Sequence, residues 1–219
     1  MDQTAAALAQ AARARHRHET TGTALVMVAC RRPHVRSGHH VTVYRHALPG
    51  NPVPAHRQHG GHGVALVPDE FCRDLPAGAA GYAALDALVQ SVPCGCDGLA
   101  FLPFLSGSVD PDACPEARAA FFGARLSTTR AHFARSVMES VAFLLRDFFG
   151  MLNALGCPAD TVYSLGGGAR SAVWQQIKAD ACGRTFRVPA CSEATAMGAA
   201  LLAGWGSGLI APGVFHLPR

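Results

Sequence analysis

Three consecutive glycines, Gly166 to Gly168, restrict the fold of this chain more than any other feature of its sequence. The preceding residues 161–165 resemble a short buried strand, and residues 171–182 resemble a helix. Glycines at such a junction allow a tight turn and let a ligand approach the backbone closely. The start of the next helix offers free N–H groups and a positive dipole end to an anion. The segment predicts an α/β unit that holds a nucleotide, and a purely structural turn is the alternative.

The glycine run differs from the dinucleotide-binding fingerprint. The pattern G-x-G-x-x-G beginning at Gly166 needs a glycine at position 171, where this chain has Ser171. A dehydrogenase-like domain would therefore depend on the glycines alone, and their spacing does not support it.

Predicted strands and helices alternate along the rest of the chain. The predicted strands are 24–30, 39–46, 98–105, 161–165 and 186–189, and the predicted helices are 4–14, 82–89, 128–155, 171–182 and 192–203. Residues 49–63 are rich in Pro, Gly and His, which predicts a loop. This alternation indicates α/β architecture, and the absence of a linker or repeat indicates one domain over 1–219.

The long predicted helix carries one apolar stripe. Its members recur at spacings of three and four residues: Phe133, Val137, Val141, Leu144 and Phe148. Ser127 is a plausible N-cap, and Gly156 followed by Pro158 is a stop signal. The stripe therefore predicts an amphipathic helix with one apolar face.

The overall composition excludes several functional classes. Hydrophobic residues make up 49% and charged residues 16%, which is typical of a folded globular domain. The net charge of +4 comes without a Lys/Arg run, so we expect no nucleic-acid partner. The sequence lacks the about 18 consecutive apolar residues that span a membrane, and its start is unlike a signal peptide. Eight scattered cysteines predict free thiols in a reducing cytoplasm.

Three further features could take part in chemistry. The turn Thr20-Thr21-Gly22-Thr23 precedes an apolar strand, and its hydroxyls and glycine could hold phosphate oxygens or simply form a turn. Asp2 could accept a proton from an attacking hydroxyl, or it could be a solvated terminal residue. Nine of the eleven histidines lie between His16 and His62, but no H-E-x-x-H occurs, so we predict surface histidines and no metal site.

Taken in order, several segments resemble the C-terminal domain of the FGGY family of carbohydrate kinases. Residues 119–123 (AAFFG) and 126–139 (LSTTRAHFARSVME) resemble the family's second signature, except that Ala124 replaces a larger aliphatic residue. Residues 102–107 (LPFLSG) resemble its LP-x-LSG segment, and 166–176 (GGGARSAVWQQ) its adenosine-binding turn and helix. Residues 71–74 (FCRD) are a loose match to its W-x-RD. The resemblance covers most of the chain and is best from 98 to 208.

The resemblance implies a fold, an activity and a set of site residues. The fold would be the actin-like, ribonuclease H-like ATPase domain, as the C-terminal half of a two-domain sugar kinase. The activity would be ATP- and Mg²⁺-dependent phosphorylation of a sugar or polyol, with a xylulokinase-like pentulose kinase as the nearest match. Asp2-Gln3 matches the segment with the catalytic Asp, although Met1 replaces the family's glycine. The implied nucleotide-binding residues are Thr21, Gly22, Thr23, Gly167, Gly168, Ala169 and Ala172.

The family's N-terminal domain has no counterpart in this sequence. That domain carries a D-x-G-T phosphate loop and most sugar contacts, so we expect the chain alone to be incomplete as an enzyme. A separately encoded N-terminal kinase domain is one partner that the resemblance allows. The alternative is an inactive fragment or pseudo-kinase that at most binds adenine nucleotide.

Overall fold

A computed structural model of the chain describes residues 5–6, 8–9, 17–22, 25–29, 67–109, 113–158, 160–191 and 193–211, and the backbone of 42–45 and 52–58. The strands are β1 (Arg17–Thr21), β2 (Leu25–Ala29), β3 (Thr42–Arg45), β4 (Pro52–Gln58), β5 (Ala100–Leu102), β6 (Ala120–Phe122), β7 (Thr161–Leu165) and β8 (Thr185–Arg187). The helices are α1 (Ala79–Gln90), α2 (Arg130–Ala154), α3 (Ala172–Cys182) and α4 (Ala194–Gly206). Shorter helical turns cover Val67–Phe71, Cys96–Gly98 and Gly167–Arg170.

Six of these strands form one mixed sheet in the order β3-β4-β2-β1-β7-β8. Strands β1 to β4 pair antiparallel, whereas β7 lies parallel to both β1 and β8. Strands β5 and β6 form a separate two-stranded hairpin. Strands and helices alternate from β6 onwards, which confirms the predicted α/β class.

Helix α2 contributes more buried residues to the main core than any other described element. Val137, Val141 and Phe148 of the predicted stripe are buried against the sheet and α3, while Phe133 and Leu144 are partly buried at its margin. Full burial of one such side chain stabilises the fold by about 1.5–3 kcal/mol. The 3.6-residue periodicity therefore predicted the buried face of α2 correctly.

The predicted cap of α2 was wrong. The helix begins at Arg130, and its N-cap is Thr129 rather than Ser127. His132 Nδ1 accepts a hydrogen bond from the Thr129 N–H at 3.1 Å, while the Thr129 side chain caps the third helical residue. The two residues together form a capping box in which histidine takes the usual place of glutamate.

Three strands, β1, β4 and β6, were not predicted as strands. Residues 49–63 were expected to form a loop, but β4 occupies Pro52–Gln58. Pro52 and Pro54 lie outside the stretch of β4 that pairs with β2, which is residues 55–58, so neither proline is needed as a hydrogen-bond donor to β2. Strand β1 was not predicted at all, because its residues RHETT look like those of an exposed segment.

The predicted strand 98–105 is shorter than expected. Only Ala100–Leu102 is a strand, and within it Phe101 is buried while Leu102 remains exposed. Of the predicted N-terminal helix, residues 5–6 and 8–9 are helical and buried, and the remainder lies outside the described residues. Ala5 passes so close to Gly198 of α4 that a Cβ at Gly198 would lie 1.8 Å from the Ala5 carbonyl oxygen. The helical residues near the N-terminus are therefore packed on α4.

Within the described ranges, no helix combines the length and the apolar content that a membrane span needs. In the same ranges, no group of three or more His, Cys, Asp or Glu side chains is arranged to hold a metal ion.

Candidate nucleotide site

Strands β1 and β7 bring two turns to the same edge of the sheet. They run parallel, with Thr20 opposite Leu165, so the chain leaves both strands on the same side. Strand β1 continues into the turn at Gly22, and β7 continues into the glycine turn. A Cβ on Gly166 would lie 2.9 Å from the carbonyl oxygen of Thr21. The two turns that resemble the phosphate and adenosine segments of a kinase are thus in direct contact.

The three glycines of the turn have different roles. Gly166 has a φ of 80°, a left-handed conformation that favours glycine. A Cβ on Gly168 would lie 2.7 Å from Trp174 Cζ3 and 3.0 Å from Thr21 Cβ, so this residue is enclosed by protein atoms. A Cβ on Gly167 would meet no atom within 4 Å. Of the three, Gly167 is therefore the one that leaves open space for a ligand.

A cleft of about 340 Å³ lies beside the glycine turn. Its walls come from the turn, from the segment after β8 and from the start of α4: Thr20, Ser164, Leu165, Gly166, Gly167, Ala169, Arg170, Val188, Pro189, Glu193, Ala194 and Thr195. A second, more open cleft of about 570 Å³ continues past Ala169 and Arg170. It is lined further by Ala172, Gln175, Gln176, Ala179, Phe186 and Val188. Both clefts lie on the same side of the glycine turn.

Hydrogen bonds fix the start of α3 beneath the glycine turn. Ser171 Oγ accepts from the Trp174 N–H at 3.0 Å and donates to Asp86 of α1 at 2.7 Å. Trp174 Nε1 donates to the carbonyl oxygen of Met138 in α2 at 3.1 Å. Gln175 Nε2 donates to the Gly168 carbonyl oxygen at 3.2 Å. The start of α3 is therefore bonded to α1 and α2, and the glycine turn is bonded to α3.

A buried ion pair lies under both turns. Lys178 Nζ donates to Glu19 Oε1 at 2.7 Å and to Thr21 Oγ1 at 3.0 Å. Thr21 Oγ1 in turn donates to Glu19 Oε2 at 2.6 Å, and Ser164 Oγ donates to Glu19 Oε1. Burial and the nearby Glu19 carboxylate raise the pKa of the Cys182 thiol to about 12.

The predicted site residues fall into three groups. Gly167, Ala169 and Ala172 line the two clefts. Thr21 and Gly168 lie behind the clefts, and the Thr21 hydroxyl is engaged by Glu19 and Lys178. Gly22 is exposed at the turn after β1, while Asp2 and Thr23 lie outside the described residues.

Sequence reasoning missed the charged members of this region. Glu19 and Lys178 are fully buried, and Arg170 and Glu193 line the first cleft. One signal was available for Lys178, because it follows Trp174 by four residues and Ile177 directly, on the apolar side of α3. A lysine at that position of a helix needs a buried partner, but the sequence does not show which carboxylate supplies it.

Comparison with known proteins identifies the family of this chain. The profile of the FGGY family of carbohydrate kinases, C-terminal domain, matches residues 20–207. The chain belongs to the FGGY family of carbohydrate kinases. This FGGY chain has the actin-like ATPase fold of the family's C-terminal half.

Named relatives of this FGGY chain include kinases for different substrates. It is 35% identical over 120 residues to the xylulose kinase of Bacillus subtilis (strain 168), a match that covers 55% of this chain and 24% of that protein. It is 31% identical over 172 residues to the gluconokinase of the same organism, covering 76% of this chain and 33% of that protein. The crystal structure of the xylulose kinase from Rhodospirillum rubrum superposes with a TM-score of 0.82 and 32% identity, covering 94% of this chain and 41% of that one. The FGGY chain therefore spans well under half the length of these relatives.

Proposed function

We propose that this chain is the nucleotide-binding lobe of an ATP-dependent carbohydrate kinase. The observation that carries the proposal is the parallel junction of β1 and β7, which places the Thr-Gly turn against a glycine turn that lines a cleft, in a member of this family. The complete enzyme would transfer the ATP γ-phosphate to a hydroxyl group of a sugar or polyol.

The cleft residues suit the two ends of a nucleotide. Gly167, Ala169 and Ala172 would lie along the adenosine, since small side chains leave the clefts open there. Gly22 and Thr23 would contact phosphate oxygens. Thr21 and Gly168 would support the two turns without touching the nucleotide. The Thr21 hydroxyl donates to the buried Glu19, and Gly168 packs against Trp174. In this assignment, the shape of the two turns depends on residues that the nucleotide does not touch.

Asp2 is the proposed general base. It would accept the proton of the sugar hydroxyl while that oxygen forms a bond to the γ-phosphorus and the bond to the bridging oxygen of ADP breaks. Mg²⁺ would be held largely by water and by the N-terminal domain. Positioning and charge stabilisation would supply most of the rate enhancement.

The proposed acceptor is a pentulose. Xylulose kinases recur among the similar sequences and solved structures, whereas a gluconokinase and a glycerol kinase also match.

We propose a cytoplasmic enzyme that works with an N-terminal kinase lobe, supplied by the same protein or by a second one.

Nucleotide binding by the chain alone is the first test. Isothermal titration with ATP is expected to give weak binding, with a Kd of about 1 mM, equivalent to roughly −4 kcal/mol. Gly167→Val should abolish the signal, because its side chain would enter the open cleft without disturbing the turn. Gly150→Val is the matched control, since Gly150 lies in α2 with open space around it and lines neither cleft. Equal binding by all three proteins would contradict the assignment.

Activity is the second test. The N-terminal lobe of a xylulose kinase relative is added, as a fusion or in trans, and ADP release is followed over pentuloses, hexuloses and polyols. Turnover with one class identifies the acceptor. Nucleotide binding without turnover for any acceptor would favour the alternative of a pseudo-kinase.

A further inference from the structure

Glu19 and Lys178 carry opposite charges in the interior, and both side chains are fully inaccessible to solvent. Glu19 lies in the middle of β1, and Lys178 comes from α3, which starts directly after the glycine turn. Transfer of two charges from water to the interior costs several kcal/mol each, and only good geometry offsets it. Replacement of a buried ion pair by well-packed apolar residues often leaves stability unchanged or raises it. Stability alone therefore does not account for the pair.

The contacts of the pair reach both turns of the proposed nucleotide site. On one side, the Thr21 hydroxyl accepts a hydrogen bond from Lys178 Nζ at 3.0 Å and donates one to Glu19 at 2.6 Å. On the other, Lys178 Nζ lies 4.6 Å from the ring centre of Trp174, a cation–π contact. That ring packs against Gly168, and Gly168 is also close to Thr21. These residues make one closed set of contacts that joins β1, the glycine turn and α3.

We propose that Glu19 and Lys178 are positioning residues of the nucleotide site. They hold the Thr21 side chain inward, so that the turn after β1 presents its backbone and Gly22 to the phosphates. Through Trp174 and Gly168 they also fix the distance between this turn and the glycine turn. The inference rests on the proposed nucleotide site, but the coupling of the two turns can be measured without any ligand.

The decisive variant replaces both charges at once. Glu19→Leu with Lys178→Met removes the pair and its bonds to Thr21 while keeping the interior filled. Thr21→Val is the milder variant, because it deletes only the hydroxyl and leaves Lys178 and Glu19 paired. Arg135→Met with Glu139→Leu is the matched control: that pair is 2.8 Å apart, largely buried in α2, and lines neither cleft. Far-ultraviolet circular dichroism establishes which variants are folded.

Two measurements then decide the proposal. Backbone amide NMR shifts of Gly22, Gly167 and Gly168 are expected to move together in the Glu19/Lys178 variant. In Thr21→Val the shifts of Gly167 and Gly168 are expected to move, because they are remote in sequence from the substitution, and in the control all three stay unchanged. The ratio of ATP to adenosine affinity is expected to fall about tenfold, equivalent to ~1.4 kcal/mol, because the phosphate turn is affected more than the adenosine surface.

Each outcome has a separate meaning. Unchanged amide shifts in both turns of a folded variant would overturn the positioning role, and so would an unchanged affinity ratio. If the Glu19/Lys178 variant does not fold, Thr21→Val decides by the same criteria. If the wild-type chain binds neither ATP nor adenosine, the proposed function fails, while the amide shifts still show whether the pair couples the two turns.

Discussion

At the scale of single residues, two neighbouring glycines show how position determines the role of a residue type. Gly167 and Gly168 belong to the same helical turn, yet one adjoins open space and the other is enclosed by Trp174 and Thr21. A ligand can approach only the first. Gly168 is needed because any side chain there would displace the tryptophan that packs beneath the turn.

Alanine substitutions separate these two roles. Gly168→Ala is expected to lower the free energy of unfolding by about 1–3 kcal/mol, because the new methyl group overpacks the contact with Trp174. Gly167→Ala should stay within about 0.5 kcal/mol of wild type, as is usual for an exposed position. Urea unfolding followed by tryptophan fluorescence measures both. Equal destabilisation by the two substitutions would contradict the enclosed environment of Gly168.

The buried pair gives a second prediction at this scale. Lys178→Met alone leaves the Glu19 carboxylate without its cation, which is expected to cost about 3–5 kcal/mol of folding stability. Adding Glu19→Leu should recover most of that loss, because the remaining charge is removed too. A double-mutant cycle from urea unfolding gives the coupling energy. Additive effects of the two substitutions would show that the pair does not interact.

At the scale of elements, helix α2 is fixed at its start by three polar contacts outside its apolar face. Thr129 and His132 form the capping box, and His132 Nε2 also lies 3.2 Å from Asp97. Arg130 Nη1 donates to both carboxylate oxygens of Asp74, at 2.8 and 2.7 Å. Asp74 belongs to the segment 71–74 that resembles the family's W-x-RD, so in this structure its acidic member links that segment to α2.

The capping box predicts a contrast between adjacent hydroxyl residues. Thr129→Ala should destabilise the fold by about 0.5–2 kcal/mol, because one N–H group at the helix start loses its acceptor. Ser127→Ala should change stability by less than about 0.5 kcal/mol, since Ser127 lies outside the helix. Thermal unfolding of the two variants tests this. A larger effect at Ser127 would mean that the helix begins earlier than described.

The contact between Asp74 and Arg130 predicts a pH dependence. The hydrogen bond from Arg130 lowers the pKa of the Asp74 carboxyl from its usual value of 3.8. A carboxyl with a lowered pKa in the folded state stabilises the fold above its unfolded pKa, and this stabilisation is lost as the pH falls through the folded pKa. Wild type should therefore be more stable than Asp74→Asn at pH 6, and the difference should disappear below the folded pKa. A pH-independent difference would exclude the ion pair as its cause.

At the scale of the whole molecule, the proposed function makes the chain one wall of an active site. It spans 41% of the length of the xylulose kinase from Rhodospirillum rubrum, and its clefts are open on the outer side of the glycine turn. Catalysis of phosphoryl transfer depends on positioning both reactants. We therefore expect the purified chain to bind nucleotide without appreciable sugar-dependent ADP release.

The reconstituted enzyme allows a test of the proposed base. With an N-terminal lobe supplied, Asp2→Asn should lower kcat by about 10²–10⁴-fold, because the amide cannot accept the proton of the sugar hydroxyl. The Kd for ATP should change little, since Asp2 would face the sugar, whereas Thr23→Val should weaken ATP binding. Steady-state kinetics and nucleotide titration separate these effects. A normal kcat for Asp2→Asn would mean that another group accepts the proton.

Features that depend on the pattern of residues close together in the sequence could be predicted before the structure was known. The periodic stripe predicted the buried face of α2, and the strand–glycine–helix order at 161–182 predicted the turn that lines the cleft. Family resemblance predicted the C-terminal kinase half, because its motifs recur in order along the chain. None of these inferences needed knowledge of which segments meet in space.

Features that depend on contacts between distant segments could not be predicted and were seen first in the folded chain. Strand β1 looks like an exposed polar segment, yet it lies between β2 and β7, where Lys178 from 159 positions away neutralises Glu19. The Thr21 hydroxyl was expected to face phosphate, and the structure turns it towards that pair. Burial of a charge is favourable only when its partner is in contact, and that partner is specified by the fold rather than by sequence spacing. For the same reason, the sequence could not distinguish Gly167, which adjoins the cleft, from Gly168, which is enclosed by its neighbours.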